Sequence, residues 1–161
     1  MIPKLFFMVT LFLFLGNQSE ENGVYHRNYY PTGKLKSEGW LKNNAKTAYW
    51  KYYHPTGKLS EEGHYQNNRR TDYWKFYAVN GKPLQEGHYM NGKMTDWWLF
   101  FDAQGKIDRK CQLKNGEKNG YCLKYKNGKL ASAEKYTNGK KIKEWYSFSS
   151  FAKENNVSDL R

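Results

Sequence analysis

Apolar and polar residues alternate one by one over much of this chain, in short runs bounded by Gly, Pro or Asn. Leu35-Lys36-Ser37-Glu38-Gly39-Trp40-Leu41-Lys42 is typical. A period of two sends successive side chains to opposite faces of a strand, and the runs are rich in Tyr, Trp, Phe and Thr, which favour that conformation. The pattern predicts one set of strands at 35–42, 59–66 and 84–90, and a second at 47–53, 71–77 and 95–101. Between partners stand Asn43-Asn44, Asn67-Asn68, Asn91-Gly92, Asn115-Gly116 and Asn138-Gly139. These residues tolerate the positive φ that tight hairpin turns demand. No helical period is present.

The runs repeat. Gly33, Gly57, Gly81 and Gly105 stand 24 residues apart and Gly128 follows after 23; Trp50, Trp74 and Trp98 keep the same interval, as do Gly39, Gly63 and Gly87. Tyr29, Tyr53, Tyr77, Phe101 and Tyr125 also keep step with the glycines. The expected fold is therefore all-β: an elongated, twisted antiparallel sheet of about five tandem β-hairpins. At the usual strand spacing each hairpin adds about 10 Å, which makes the sheet roughly 50 Å long, and each hairpin touches only its neighbours.

Alternation assigns two faces. One collects Leu35, Gly39, Leu41, Leu59, Gly63, Tyr65, Ile107, Leu113, Leu130 and Tyr136 with Trp50, Tyr52, Trp74, Phe76, Trp98 and Phe100, and is expected to be the more buried. The other carries Lys36, Glu38 and Lys42, and on the second strands Tyr49, Lys51, Tyr53, Tyr73, Lys75, Tyr77, Trp97 and Phe101. These last eight residues form the candidate binding face, being both aromatic and basic. The competing reading is a lightly covered sheet surface with no partner.

The units Tyr29-to-Tyr52, Tyr53-to-Phe76 and Tyr77-to-Phe100 follow, each with departures, the pattern Tyr-x-x-x-Gly-Lys-Leu, then Glu-Gly-x-Tyr, then Asn-Gly, then Trp-x-x-Tyr. They resemble the bacterial variant of the MORN repeat, and the resemblance covers about residues 25–146. It implies hairpin arrays that serve as scaffolds, dimerisation surfaces or lipid-associated modules, and some relatives carry an antitoxin label. Choline-binding cell-wall modules also have aromatic repeats, but their units are shorter, so that fold ranks second.

The chain departs from its own rule at Cys111 and Cys122, which occupy the Gly39 and Trp50 positions of the fourth unit. With a four-residue loop at 115–118, Lys114 faces Asn119, and counting outward sets the two cysteines opposite each other. A Gly/Trp cross-strand pair is thereby exchanged for a Cys/Cys pair, and a disulfide is expected. Two cysteines without further ligands at suitable spacing do not make a zinc site.

Composition narrows the function classes. The chain has 161 residues, 18% aromatic, with a formal charge of +12. So many aromatics exclude a disordered chain. The positive balance admits anionic partners, namely an anionic membrane surface or cell-wall glycan, but Lys is spread through every unit, as in a solvated sheet face. His64 and His88 recur at one repeat position, as do Glu38, Glu62 and Glu86, so both sets read as structural, the acids pairing with neighbouring Lys. Nucleophile elbows, phosphate loops and HExxH are missing, so no enzyme, cofactor or metal is expected.

Residues 1–19 contain Lys4 and an uncharged apolar run from Leu5 to Leu15, too short for a spanning helix and suited to a signal peptide. A poor cleavage site leaves an uncleaved anchor open. Residues 25–146 form the repeat domain and 147–161 a C-terminal cap or disordered tail, with Asn155, Asn156 and Ser158 in a loose end. Together these features point to an exported, non-catalytic scaffold, whether periplasmic, surface-associated or secreted, that binds a protein or an envelope component. The alternatives are a binder of anionic lipid or glycan and an antitoxin or immunity protein. Nucleic acid is a poor candidate for an exported chain.

Overall fold

The computed structural model describes residues 23–160. The signal peptide or anchor expected over 1–19 lies outside the described residues. Eleven strands make one open, antiparallel sheet in strict sequence order: β1 (Val24–Tyr29), β2 (Leu35–Lys42), β3 (Ala45–Tyr53), β4 (Leu59–Gln66), β5 (Arg69–Tyr77), β6 (Pro83–Met90), β7 (Lys93–Phe101), β8 (Ile107–Lys114), β9 (Glu117–Lys126), β10 (Lys129–Thr137) and β11 (Lys140–Trp145). A short helix α1 (Phe148–Glu154) and a 3-10 turn (Val157–Leu160) follow. The five expected hairpins are present. β1 is an additional half-unit ahead of them that the alternation did not reveal.

One sheet has no second layer to bury its apolar side chains, so the burial has to arise within the sheet. It does so on what we call the tryptophan face. Trp50, Trp74 and Trp98 are nearly or fully inaccessible there. Each indole lies flat over the glycine opposite it; a Cβ on Gly63 would stand 2.4 Å from the Trp74 ring. Around Trp74, Tyr65 and Tyr89 present their edges at 5.0 and 6.0 Å, and Tyr52 and Phe76 lean in at 6.5 and 6.0 Å. The Arg70 guanidinium closes the top, 4.3 Å from the ring centroid, where a cation is attracted to the aromatic face. Lys46 caps Trp50 in the same way at 4.8 Å.

The indole N–H is satisfied by a defect in the ladder. Beside each tryptophan the pairing slips: Trp40 faces Thr47 but Gly39 faces Trp50. The two skipped residues form a bulge, whose first member takes a left-handed φ: 53° at Ala48, 58° at Asp72 and 58° at Asp96. The slip frees carbonyls from the ladder, and the Trp74 Nε1–H donates to two of them, His64 at 3.0 Å and Thr71 at 3.2 Å. The large majority of buried polar groups in folded proteins have such a partner.

The same slip corrects the register expected for the cysteines. The four-residue loop at 115–118 is a two-residue turn: Asn115 and Gly116 have φ of 56° and 89°, and Lys114 faces Glu117, not Asn119. The bulge then inserts two residues, and Cys111 faces Cys122 after all. They form a disulfide with Cα atoms 4.0 Å apart, fully buried beside Trp98 and Leu113. Successive turns are also joined to one another: the Asn68, Gly92, Gly116 and Gly139 amides donate to the carbonyls of Lys46, Arg70, Met94 and Lys118 at 2.8–3.0 Å.

The C-terminal end obeys a different rule. Asn127-Gly128 is itself a two-residue turn with positive φ, which accounts for the shortened interval before Gly128. The last hairpin slips at its bulge so that Trp145 faces Ala133, while Glu134, at the Gly39 position, faces Glu144. Trp145 therefore points to the opposite face from the other indoles. There it packs with Tyr121, Leu123, Ala133 and Phe151 of α1. Ser147 caps α1, its hydroxyl accepting from the Ser150 amide at 3.1 Å. Asn155, Asn156 and Ser158 do not trail loose: Asn155 accepts from the Tyr121 hydroxyl at 2.8 Å, and Asn156 from the Ser158 amide at 3.1 Å.

Two outcomes follow for stability. Gly63→Ala should drive a methyl into the Trp74 ring and lower the unfolding free energy by about 1–3 kcal/mol, the usual cost of overpacking, measurable by urea denaturation. The double variant Cys111→Gly, Cys122→Trp should restore the pair used by the other units. It is expected to fold and to lose the midpoint shift that reductant causes in the parent, whose disulfide is worth about 3 kcal/mol by loop entropy.

Candidate binding face

The face opposite the tryptophans carries two parallel rows that run across the strands. The register places Arg27 opposite Glu38, Glu38 opposite Lys51, Lys51 opposite Glu62, Glu62 opposite Lys75 and Lys75 opposite Glu86. This is a ladder of alternating charge across β1 to β6. From β7 onward the same row reads Leu99, Lys110, Leu123, Ala133 and Trp145. Its charged half is open, and its apolar half is progressively buried beneath α1.

The second row is aromatic. Tyr25 meets Trp40 edge-on at 5.2 Å, Tyr49 meets His64 at 4.9 Å, and Tyr73 meets His88 at 4.9 Å. Trp97 follows, opposite Gln112. Gln112 donates to the Asp159 carbonyl at 3.1 Å, and Leu160 packs against the same buried cluster as Trp97, so the 3-10 turn ends the row. A shallow groove of about 650 Å³ lies between Tyr73, His88, Trp97, Leu99 and Lys110.

The eight candidate residues thus fall together. Tyr49 and Lys75 are exposed, and Lys51, Tyr53, Tyr73, Tyr77, Trp97 and Phe101 are half-buried. Their chemistry differs from the expected basic surface, because Lys51 and Lys75 each stand between two acids. The acids also take tyrosine partners that charge counting had not suggested. Tyr53 donates to Glu38 at 2.7 Å and Tyr77 to Glu62 at 3.0 Å. The Tyr53 hydroxyl, with Arg27 beyond it, holds the Glu38 carboxyl below its ordinary range. A hydroxyl every 24 residues at the Tyr53 position was the signal available in the sequence; only Phe101 lacks it.

Burial, reinforced by the neighbouring carboxylates, pushes the phenols up: Tyr49 and Tyr53 well above their ordinary value, Tyr73 and Tyr77 to about 12. His64 and His88 lie exposed beside their tyrosines, in separate pairs. Among the described residues no group of three or more His, Cys, Asp or Glu is placed to hold a metal ion.

The sequence pattern of the MORN repeat variant matches residues 25–43 and 46–67. Two adjacent MORN-variant repeats therefore span residues 25–67. The matches set the phase of the unit: the first spans β1 and β2, the second β3 and β4. Each MORN unit thus pairs a tryptophan-position strand with the next glycine-position strand across the longer loop. β1 is the opening strand of the first unit, with His26 where later units have Trp. The pairs β5–β6, β7–β8 and β9–β10 repeat that arrangement. No curated protein matches the chain. MORN repeats are binding motifs for proteins or membranes, in keeping with a non-catalytic scaffold.

The raised phenols give a pH signature. Folding favours the neutral form of Tyr73 and Tyr77, so their contribution is complete below pH 10 and is lost as pH rises towards 12. A spectrophotometric titration should show a late-ionising tyrosine class, and Glu86→Gln should bring Tyr73 back towards its ordinary value.

Proposed function

We propose that the chain is an exported, non-catalytic repeat scaffold whose ladder face binds a protein of the cell envelope. The observation that carries this reading is the way the face is treated along its length. Where the row is apolar, the chain covers it with its own helix: Phe151 seats edge-on against Tyr121 at 5.4 Å and Trp145 at 5.3 Å. From β1 to β7 the rows continue with no such cover among the described residues. Rings at that stretch offer large, rigid contact area at small entropic cost, as binding surfaces do.

The charge ladder selects between partners. A uniformly anionic bilayer or glycan would meet Glu38, Glu62 and Glu86 along with the cations. A protein surface bearing both signs can match the alternation, and such matching sets orientation and register more than affinity. Export is supported by the buried disulfide, which suits an oxidising compartment, and by the apolar N-terminal run.

The test is capture from envelope fractions by the purified protein and by the variant Tyr49→Ser, Tyr73→Ser, both shown by circular dichroism to be folded. The protein is expected to retain a partner that the variant releases. Equal capture by both would remove the ladder face from the interaction. Fractionation should find the chain outside the cytoplasm with its thiols oxidised.

A further inference from the structure

The repeat makes the tryptophan face comparable with itself from unit to unit. Two of its positions recur in each of the first four hairpins: the residue two before the Gly or Cys of the cross-strand pair, and the second residue after the Asn turn. They are filled by Ser37 and Lys46, Glu61 and Arg70, Gln85 and Met94, and Arg109 and Lys118. In the second hairpin the result is a bidentate ion pair, with the Arg70 guanidinium donating to both Glu61 oxygens at 2.8 and 2.7 Å. In the fourth hairpin both positions are cations.

Like charges brought together in a partly buried place are costly unless an anion lies between them. Arg109 and Lys118 line one cleft of about 230 Å³, with Phe100 and Asp108 as its other walls. Burial, then the Arg109 charge, pushes the Lys118 ammonium below its ordinary pKa; Glu134 opposes this and Lys124 adds to it. Two nearby acids are engaged mainly with other partners. Glu134 and Glu144 are held by Lys124 and Lys141 at 2.9–3.8 Å, by Ser132 and by Tyr136. Asp108 takes the Nε of Arg109 at 3.1 Å through an exposed pair of sequence neighbours, a contact of small worth that leaves the terminal guanidinium nitrogens available. Among the described residues no carboxylate lies within ion-pair distance of Lys118; its ammonium sits over the Tyr136 ring at 4.8 Å.

We propose that the cleft between Arg109 and Lys118 binds a carboxylate of an acidic peptide segment, in the place that Glu61 fills in the second hairpin. The turn-side cations hold the same register, Arg70 opposite Tyr65 and Lys118 opposite Leu113, and in the second hairpin a side-chain carboxylate is seated against that cation. In the fourth hairpin the two equivalent positions both hold cations, and Asp108 takes only the Nε side of Arg109. Phe100, opposite Arg109 in the register, provides an apolar wall for the methylenes of a glutamate. This cleft and the ladder face lie on opposite sides of the sheet, so neither site depends on the other.

The experiment uses a terminally blocked tetraglutamate peptide, with tetraglutamine as control, titrated into the full chain and followed by the backbone amide resonances of residues 109 and 118. Tetraglutamate should shift both amides, less so at higher salt, and tetraglutamine should not. Lys118→Gln should weaken binding by about tenfold, the worth of one charge-assisted hydrogen bond. Arg109→Glu should place an acid where the second hairpin has one, abolish binding and raise the Lys118 pKa in the free protein. If Arg109→Glu does not fold, Lys118→Gln alone decides. Undiminished binding by the folded variants, or equal shifts with tetraglutamine, would overturn the proposal. So would inorganic phosphate or phosphatidylglycerol vesicles shifting these amides where tetraglutamate does not, since the site would then be one for phosphate.

Discussion

A tryptophan laid over a glycine on the neighbouring strand is the contact on which the rest of this sheet depends. A single β-layer exposes both its faces, and an isolated hairpin is marginal at best in water. Here the indole uses the space of a missing side chain to sink towards the backbone, and smaller rings and a cation close around it. The result is a series of three small buried cores, at Trp50, Trp74 and Trp98, that share tyrosines with one another. Tyr65 touches both Trp50 and Trp74, and Tyr89 both Trp74 and Trp98. Cooperativity along the array passes through those shared rings.

The turn and the bulge are the conditions for that contact. The two-residue turn fixes the pairing at one end of each hairpin, and the bulge resets it before the tryptophan is reached. The offset also frees the carbonyls that accept the indole N–H. Turn, bulge, glycine and tryptophan therefore form one interdependent set, and a 24-residue repeat preserves them together. Where the set is broken, as at Cys111 and Cys122, both halves of the Gly/Trp pair change at once.

Most of the architecture was legible because a repeat aligns a chain with itself. The strands, the Asn turns and the cysteine pairing could all be read that way. The pairing came out right although the loop was wrong, since a four-residue loop and a two-residue turn followed by a two-residue bulge give the same count beyond the bulge. Trp145 was not legible, because one residue fewer in the last hairpin sends its side chain to the other face, and pattern alone does not register a missing bulge residue. The ladder face was legible in membership but not in character. Its eight residues were assigned by alternation, whereas its charge balance depends on which Glu stands between which Lys. That is a property of register and not of composition.

The disulfide gives the molecule a mechanical polarity. A sheet of sequential hairpins loaded at its ends peels one strand at a time, each step breaking few contacts and releasing the length of the strand. The link between Cys111 and Cys122 cannot yield in this manner. The 11-residue separation that it spans, roughly 37 Å of extended chain, is withdrawn from the extensible length. An unravelling front that starts at β1 would run through the charged half of the ladder to Cys111, and from there the load would pass through the link to Cys122, bypassing residues 112–121.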